Sequence, residues 1–281
     1  KCIEYANQIA AQGHIAVQNT FPLEVSEFHI NHVYCAATNQ REAELPYPSV
    51  VALNEHASIL HYQNLKQRSP IEIHSLLLDA GAQFNGYASD ITRTWCSQNL
   101  RFQKLITAVD SIQQLLCSQA VKGTDFVELN DQAHRLVAEI LSKQKFVFCS
   151  AAQAYEAGIT RTFFPHGLGH LLGLQVHDTG GHQKTPNGAL RSPPAKHPHL
   201  RLTRVLEPGF VLTIEPGIYF IPMLLKKLSV STQKKHINWD LIEEFIPFGG
   251  VRIEDNIVVT TSKACNLTRQ FLPSMNTVSV F

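Results

Sequence analysis

The chain has 281 residues, 44% of them hydrophobic and 17% charged, enough to bury a large globular core as one large domain or two smaller ones. A formal net charge of +1 excludes a basic field for nucleic acid and an acidic tail, and no stretch approaches the roughly 18 uninterrupted apolar residues of a membrane span. The Lys226-Lys227 and Lys234-Lys235 pairs read as solvated loop, Lys1-Cys2-Ile3-Glu4-Tyr5 lacks a signal-peptide core, and six scattered cysteines with no Cys-x-x-Cys read as reduced thiols of a cytoplasmic protein.

Ile3, Ala6, Ile9, Ala10, Ile15 and Ala16 fall near helical spacing and predict a helix from residue 1 to about 19. A second runs from Ser26 to Thr38, opened by Ser26-Glu27-Phe28-His29, a capping box in which His stands where Glu or Gln is usual. Pro46 to Pro48 breaks the pattern, and Ser49 to Leu53 reads as a strand.

The next segment is a hairpin. Leu76-Leu77-Leu78-Asp79 leads to Asn85-Gly86, and Tyr87 to Trp95 returns; Asn-Gly between β-formers is the signal for a two-residue type I′ turn. Pairing outward from Phe84 opposite Tyr87 brings Gly81 opposite Asp90. Asp79, two residues before Gly81, then shares a face with Asp90, at roughly 7–8 Å along the backbone. Side chains of that length can converge on metals roughly 3.5–4 Å apart, whereas a one-residue slip would turn Asp90 away. Either carboxylate alone reads as a solvated surface acid; two on one face of an apolar strand pair open a ligand reading beside the solvated one.

Helices follow from Gln103 to Cys117 and from Asp125 to Ser142, the latter after Lys122-Gly123-Thr124 as stop and cap. Residues 181–199 are loop-like and rich in Gly, Pro and His, and 221–248 form a mixed insertion with basic and aromatic character. Strands return around Val211 to Tyr219 and Val251 to Thr260. Helices clustered between separated hairpins argue for an α+β fold on an antiparallel sheet, in a single domain.

Pro165-His166-Gly167-Leu168-Gly169-His170 through His177-Asp178 holds three histidines among glycines that let backbone approach a ligand, which suggests a site wall. One imidazole suits a metal, while another can donate to a developing oxyanion. Glu215, in Thr213-Ile214-Glu215-Pro216-Gly217, is either exposed on an open face or paired inside. Arg252 and Glu254 share a strand face, as a cross-face ion pair or as a substrate-carboxylate fork beside a metal ligand. Asp79, Asp90, His170, Glu215 and Glu254 together make a hard, oxygen-rich set with charge enough for two divalent cations, which is a hydrolase's equipment.

Over residues 1 to about 270 these stretches, with Val51-Ala52-Leu53-Asn54-Glu55-His56 through His61-Tyr62 and Gly249-Gly250-Val251-Arg252-Ile253-Glu254-Asp255-Asn256, resemble the metallopeptidases of the pita-bread fold. They closely resemble the bacterial Xaa-Pro dipeptidase (prolidase) branch of that group, which includes organophosphorus acid anhydrolases. The resemblance implies the creatinase/aminopeptidase architecture, a curved antiparallel sheet flanked by helices. It implies metal ligation by Asp79, Asp90, His170, Glu215 and Glu254, with Asp90 and Glu254 bridging two ions, typically Mn²⁺. It further implies that His61, His166, His177 and Arg252 contact substrate and that Tyr47, Leu60 and Val176 line its pockets. Relatives carry an additional N-terminal domain that helps form a homodimer; this chain begins at the first catalytic-domain helix, so residues 1–281 are expected to be one catalytic domain without it. Leu171 stands where relatives often have Pro.

The expected reaction is cleavage of the Xaa-Pro bond of a dipeptide by a hydroxide bridging the metals. Glu215 would act as general base, His177 or His166 as oxyanion donor, and Arg252 would hold the proline carboxylate. The competing readings are a non-catalytic pita-bread binding module and a hydrolase of phosphotriesters or longer Xaa-Pro peptides.

Overall fold

The computed structural model describes residues 1–21, 25–185 and 187–272, and its strand pairings are antiparallel throughout. Helices α1 (Cys2–Thr20) and α2 (Glu27–Thr38) form where apolar spacing predicts them. Ser26 caps α2 by accepting the His29 N–H at 3.2 Å, so the backbone half of the expected capping box is present. Strands β1 (Val50–Leu53), β2 (Ser75–Asp79), β3 (Gln83–Phe84), β4 (Tyr87–Ala88) and β5 (Thr92–Cys96) follow.

Next come α3 (Leu100–Gln119), α4 (Phe126–Lys143), α5 (Ala151–Glu156) and α6 (Thr160–Phe163). The third helix starts three residues before the expected Gln103 because Asn99 accepts the Phe102 N–H at 2.9 Å and sets the helix start there. The remaining elements are β6 (Val211–Ile214), β7 (Gly217–Tyr219), α7 (Pro222–Ser229), α8 (Trp239–Phe245), β8 (Gly250–Arg252), β9 (Asp255–Val258) and β10 (Cys265–Asn266). The basic and aromatic insertion is thus largely helical. Among the described residues no helix is long and apolar enough to cross a membrane.

Two broken ladders organise the molecule. In the first, Asn85 and Gly86 take φ of 51° and 80°, Phe84 pairs with Tyr87, and Asp79 pairs with Thr92, which is the register expected from the turn outward. In the second, Ile214 pairs with Asp255 and Gly217 with Arg252, one unbroken register with an interruption at Glu215-Pro216 facing Ile253-Glu254. Pro216 has no N–H to give to a ladder, so the break is built into the sequence. Glu215 and Glu254 therefore stand opposite each other at the gap. The bridge Thr92 to Glu254, and the Thr94 hydroxyl bonding the Arg252 carbonyl at 3.0 Å, lay the two ladders side by side.

Period-two alternation then sorts the faces. Leu76, Leu78, Trp95, Val251 and Ile253 join a core with α3 and α4 residues such as Phe102, Leu105, Leu129 and Val137, all buried. Leu77 and Tyr219 lie in a separate small cluster with Val50, Ala52 and Tyr62, and Asp79 shares the alternation of Leu77. One face packs on helices. The other holds the candidate ligands.

Candidate metal centre

Each candidate carboxylate sits at a ladder end or interruption, where a strand no longer uses both of its neighbours. Asp79 ends β2, Asp90 precedes β5, and Glu215 and Glu254 occupy the facing gap. They were expected inside strands; the interruptions instead let side chains from two ladders turn toward one point. His170 comes from a segment that lies antiparallel along β6 through Thr213 N–H to His170 O and Glu215 N–H to Leu168 O, both 2.9 Å. That approach needs Gly169, because a Cβ there would lie 2.0 Å from the Thr213 carbonyl oxygen.

The expected convergence of Asp79 and Asp90 is realised through Tyr47, whose hydroxyl lies 2.8 Å from Asp79 Oδ1 and 2.6 Å from Asp90 Oδ1. His170 Nε2 is 3.4 Å from Asp90 Oδ2 and 3.5 Å from Glu215 Oε1. Asp90, His170 and Glu254 each offer a ligand atom within 4.8 Å of the others, and all three residues are buried. The Thr92 hydroxyl bonds Glu254 Oε2 at 2.6 Å. All five candidates are brought to one locus.

Electrostatics strain this cluster in the direction a cation would relieve. Burial, then the charges of Asp90, Glu215 and Asp79, hold Glu254 well above the usual carboxylate range. Burial likewise raises Asp79 against the opposing pull of Arg252, and lifts Glu215 to about 7 against the pull of His170. Burial works against ionised Asp90 too, yet the His170 hydrogen bond and charge leave it below its ordinary value. His170 is raised despite burial by its bond to Asp90 and the charge of Glu215. The His170 Nδ1 lies 2.9 Å from the Leu171 carbonyl, which can only accept, so the Nδ1–H is held there and Nε2 faces the carboxylates. Crowded buried carboxylates and an imidazole oriented by a backbone carbonyl fit divalent-cation ligation.

Around the cluster, Arg252 is buried with three donors engaged: Nη2 to Asp79 Oδ2 at 2.6 Å, Nη1 to the Tyr219 hydroxyl at 2.9 Å and Nε to the Thr92 hydroxyl at 3.1 Å. It is a fork, but one closed on the protein. His166 Nδ1 meets the Gly167 carbonyl at 2.8 Å, so its Nε2 accepts from the Tyr219 hydroxyl at 2.7 Å. Burial and the Arg252 charge push His166 down to about 3. The His177 ring stands edge-on to His170 at 4.4 Å; desolvation in the cleft wall and the charges of His170 and Arg201 lower it to about 4.

Leu60 packs on the cluster of Tyr62 and Tyr219, His61 is exposed yet near enough to depress both His166 and His177, and Val176 is half-buried beside His177. A cavity of about 410 Å³ opens from His170 and His177 and is also lined by Asp178, His182 and Arg201. Sequence reasoning missed Thr92, Tyr219 and Arg201. Thr92 and Tyr219 are legible only once the register of the ladders is known, and Arg201 lies just beyond the loop-like 181–199 segment, where no motif marks it.

A model described as metallopeptidase family M24 matches residues 1–261. A Xaa-Pro dipeptidase of Proteus mirabilis (strain HI4320) is 46% identical over 270 residues, covering 95% of this chain and 61% of the relative. That of Enterobacter sp. (strain 638) is 47% identical with the same coverage. The chain thus spans less than two thirds of the length of the curated relatives it matches. Among solved structures, Escherichia coli aminopeptidase P with the inhibitor Pro-Leu superposes with a TM-score of 0.75 at 26% identity, over 97% of this chain and 56% of that one. Pseudomonas aeruginosa aminopeptidase PepP gives 0.73 at 25%, over 97% and 55%. With the antiparallel ladders and flanking helices, this likeness bears out the expected α+β pita-bread fold.

Proposed function

Because the chain belongs to metallopeptidase family M24, we propose that it is the metal-bearing catalytic domain of an enzyme that cleaves the Xaa-Pro bond of dipeptides. The observation that carries this reading is the crowding of Asp79, Asp90, His170, Glu215 and Glu254 at facing interruptions of two ladders. The activity named for the curated relatives supports the substrate class. Residues 1–281 are assigned to this one domain, of which 22–24, 186 and 273–281 lie outside the described residues. Six unpaired cysteines favour the cytoplasm.

Asp79, Asp90, His170, Glu215 and Glu254 would hold two divalent cations, Mn²⁺ being the first to test. Such cations, when bound, supply an acidified water and polarise the scissile carbonyl. The chain's own groups do the rest. Glu215, whose Oε1 lies 3.2 Å from the Thr213 hydroxyl, takes the water's proton and returns it to the proline nitrogen as that nitrogen leaves. His177 is the better oxyanion donor: Tyr219 makes Nε2 of His166 an acceptor, whereas the His177 ring faces the cavity. Arg252 keeps two of its five N–H groups beyond the three engaged, and Arg201 faces the cavity beside His177, so the proline carboxylate has a second cationic partner.

The test is metal titration of dialysed protein with hydrolysis of Leu-Pro and Gly-Pro measured against an Xaa-Pro tripeptide and a phosphotriester. Close to two equivalents of Mn²⁺ and a preference for dipeptides support the reading. Less than one equivalent at saturating Mn²⁺ overturns it in favour of a binding module, and a preference for the tripeptide or phosphotriester overturns the substrate assignment alone.

A further inference from the structure

Leu60 and His61 lie in the long connection between Leu53 and Ser75, where the described structure has one short 3-10 turn, Asn54–Ser58, and no ladder. Such a segment has few backbone bonds to hold it. Its anchor comes from another element. Glu27, in the first turn of α2, is 1% exposed, and each of its carboxylate oxygens accepts two hydrogen bonds from this connection. Oε1 takes the Leu53 N–H at 3.0 Å and His56 Nδ1 at 2.6 Å; Oε2 takes the Tyr62 hydroxyl at 2.7 Å, whose single proton it shares with the Asn64 carbonyl, and the Lys66 N–H at 2.9 Å.

The donors come in pairs on either side of Leu60 and His61. Beyond them, the Tyr62 ring stacks on His56 at 4.5 Å and packs with Val50, Ala52, Leu77 and Tyr219, while Leu60 rests on the same cluster. Tyr219 in turn bonds His166 and Arg252. One carboxylate therefore ties two stretches of the connection to the wall of the metal cluster.

Burying a carboxylate is costly, and among the described residues no Lys or Arg side chain pairs with Glu27. An apolar side chain would fill the same space without that cost but could not gather four donors. We propose that Glu27 is a positioning residue, which fixes residues 53–66 so that Leu60 and His61 face the site. This rests on the substrate reading of that site, and Glu27 itself touches neither ligands nor reacting atoms.

Glu27→Gln is the discriminating variant. It keeps the size, but an amide oxygen accepts only about two hydrogen bonds and its NH₂ opposes the other donors. Expected are amide hydrogen exchange at least about tenfold faster over residues 56–66 with β2 and α4 unchanged, and a KM for Leu-Pro up about tenfold with kcat within about threefold and Mn²⁺ stoichiometry as in wild type. Wild-type exchange and KM in a folded variant overturn the proposal. So does faster exchange throughout the protein, which marks a general structural role.

If Glu27→Gln does not fold, Tyr62→Phe removes one donor of the four. It should give a smaller acceleration confined to residues 56–66, and the absence of any acceleration overturns the proposal. A wild-type protein that binds metal but hydrolyses no Xaa-Pro dipeptide refutes the proposed reaction instead, and the exchange measurement still decides the role of Glu27.

Discussion

The Asn256 side chain holds both backbone polar groups of Asp90: the Asp90 N–H donates to Asn256 Oδ1 at 3.0 Å, and Asn256 Nδ2 donates to the Asp90 carbonyl at 2.5 Å. Asp90 lies in a ladder interruption, so this amide does what a neighbouring strand would otherwise do. Asn256 is fixed in turn, its own N–H bonded to the Thr268 hydroxyl at 2.9 Å. Asn256→Ala leaves two buried groups unpartnered and should destabilise the fold by about 2–4 kcal/mol. With Asp90 no longer held, Mn²⁺ affinity should fall about 10–100-fold. Urea unfolding and metal titration measure the two effects; undiminished affinity in the folded variant rejects the link.

Glu215→Gln keeps the shape but exchanges one acceptor oxygen for an NH₂ and loses the basicity. It should lower kcat about 10²–10⁴-fold while the protein stays folded. Steady-state kinetics on Leu-Pro decide it, and turnover at the wild-type rate rejects Glu215 as the base.

Arg201→Ala should raise KM for Xaa-Pro dipeptides about tenfold or more and reduce the preference for dipeptides over tripeptides, since Arg201 lines the cavity beside His177. Equal selectivity in wild type and variant would return the carboxylate to Arg252 alone.

His134 is buried, stacks on His197 at 4.4 Å, and is lowered from 6.5 to about 3 by burial and then by the charge of His197. Between those two values the unfolded chain binds a proton that the folded chain refuses, so stability declines as pH drops below 6.5. From pH 7 to pH 5 this one group should remove about 2 kcal/mol. His134→Gln can keep a partner for the Thr160 hydroxyl, which lies 3.1 Å from His134 Nδ1, and does not titrate. Its urea-unfolding free energy should be flatter over the same range, and a slope equal to wild type refutes the assignment.

Arg93 and Asp255 form an ion pair at 2.7 Å with both side chains fully buried, whereas Arg101 and Glu244 pair at the same distance in the open. Asp255→Ala should destabilise by about 3–5 kcal/mol because it strands a buried cation, and Glu244→Ala by no more than about 1 kcal/mol. Chemical denaturation of both variants tests the contrast.

The first ladder was legible in the sequence because Asn85-Gly86 fixes a local register, and period two then decides which face Asp79 and Asp90 share. Helix ends were legible to within a few residues wherever the cap was recognised, as at Ser26, and missed by three residues at Asn99, where it was not. The engagement of Arg252 was not legible. Its partners Asp79, Thr92 and Tyr219 lie on three other strands, and no spacing along the chain encodes them.

By itself, then, the sequence determined what the local chemistry of turns, caps and alternation can determine: a hairpin bearing two carboxylates, the helices around it, and a set of ligand types suited to hard cations. The tertiary structure alone decided that the gap at Glu215 and Glu254 would meet the gap beside Asp90, that Glu27 would hold a connection it does not belong to, and that Arg252 would close on the protein. These depend on contacts between distant parts of the chain, where side-chain packing and the pairing of buried polar groups select the neighbour and sequence spacing does not.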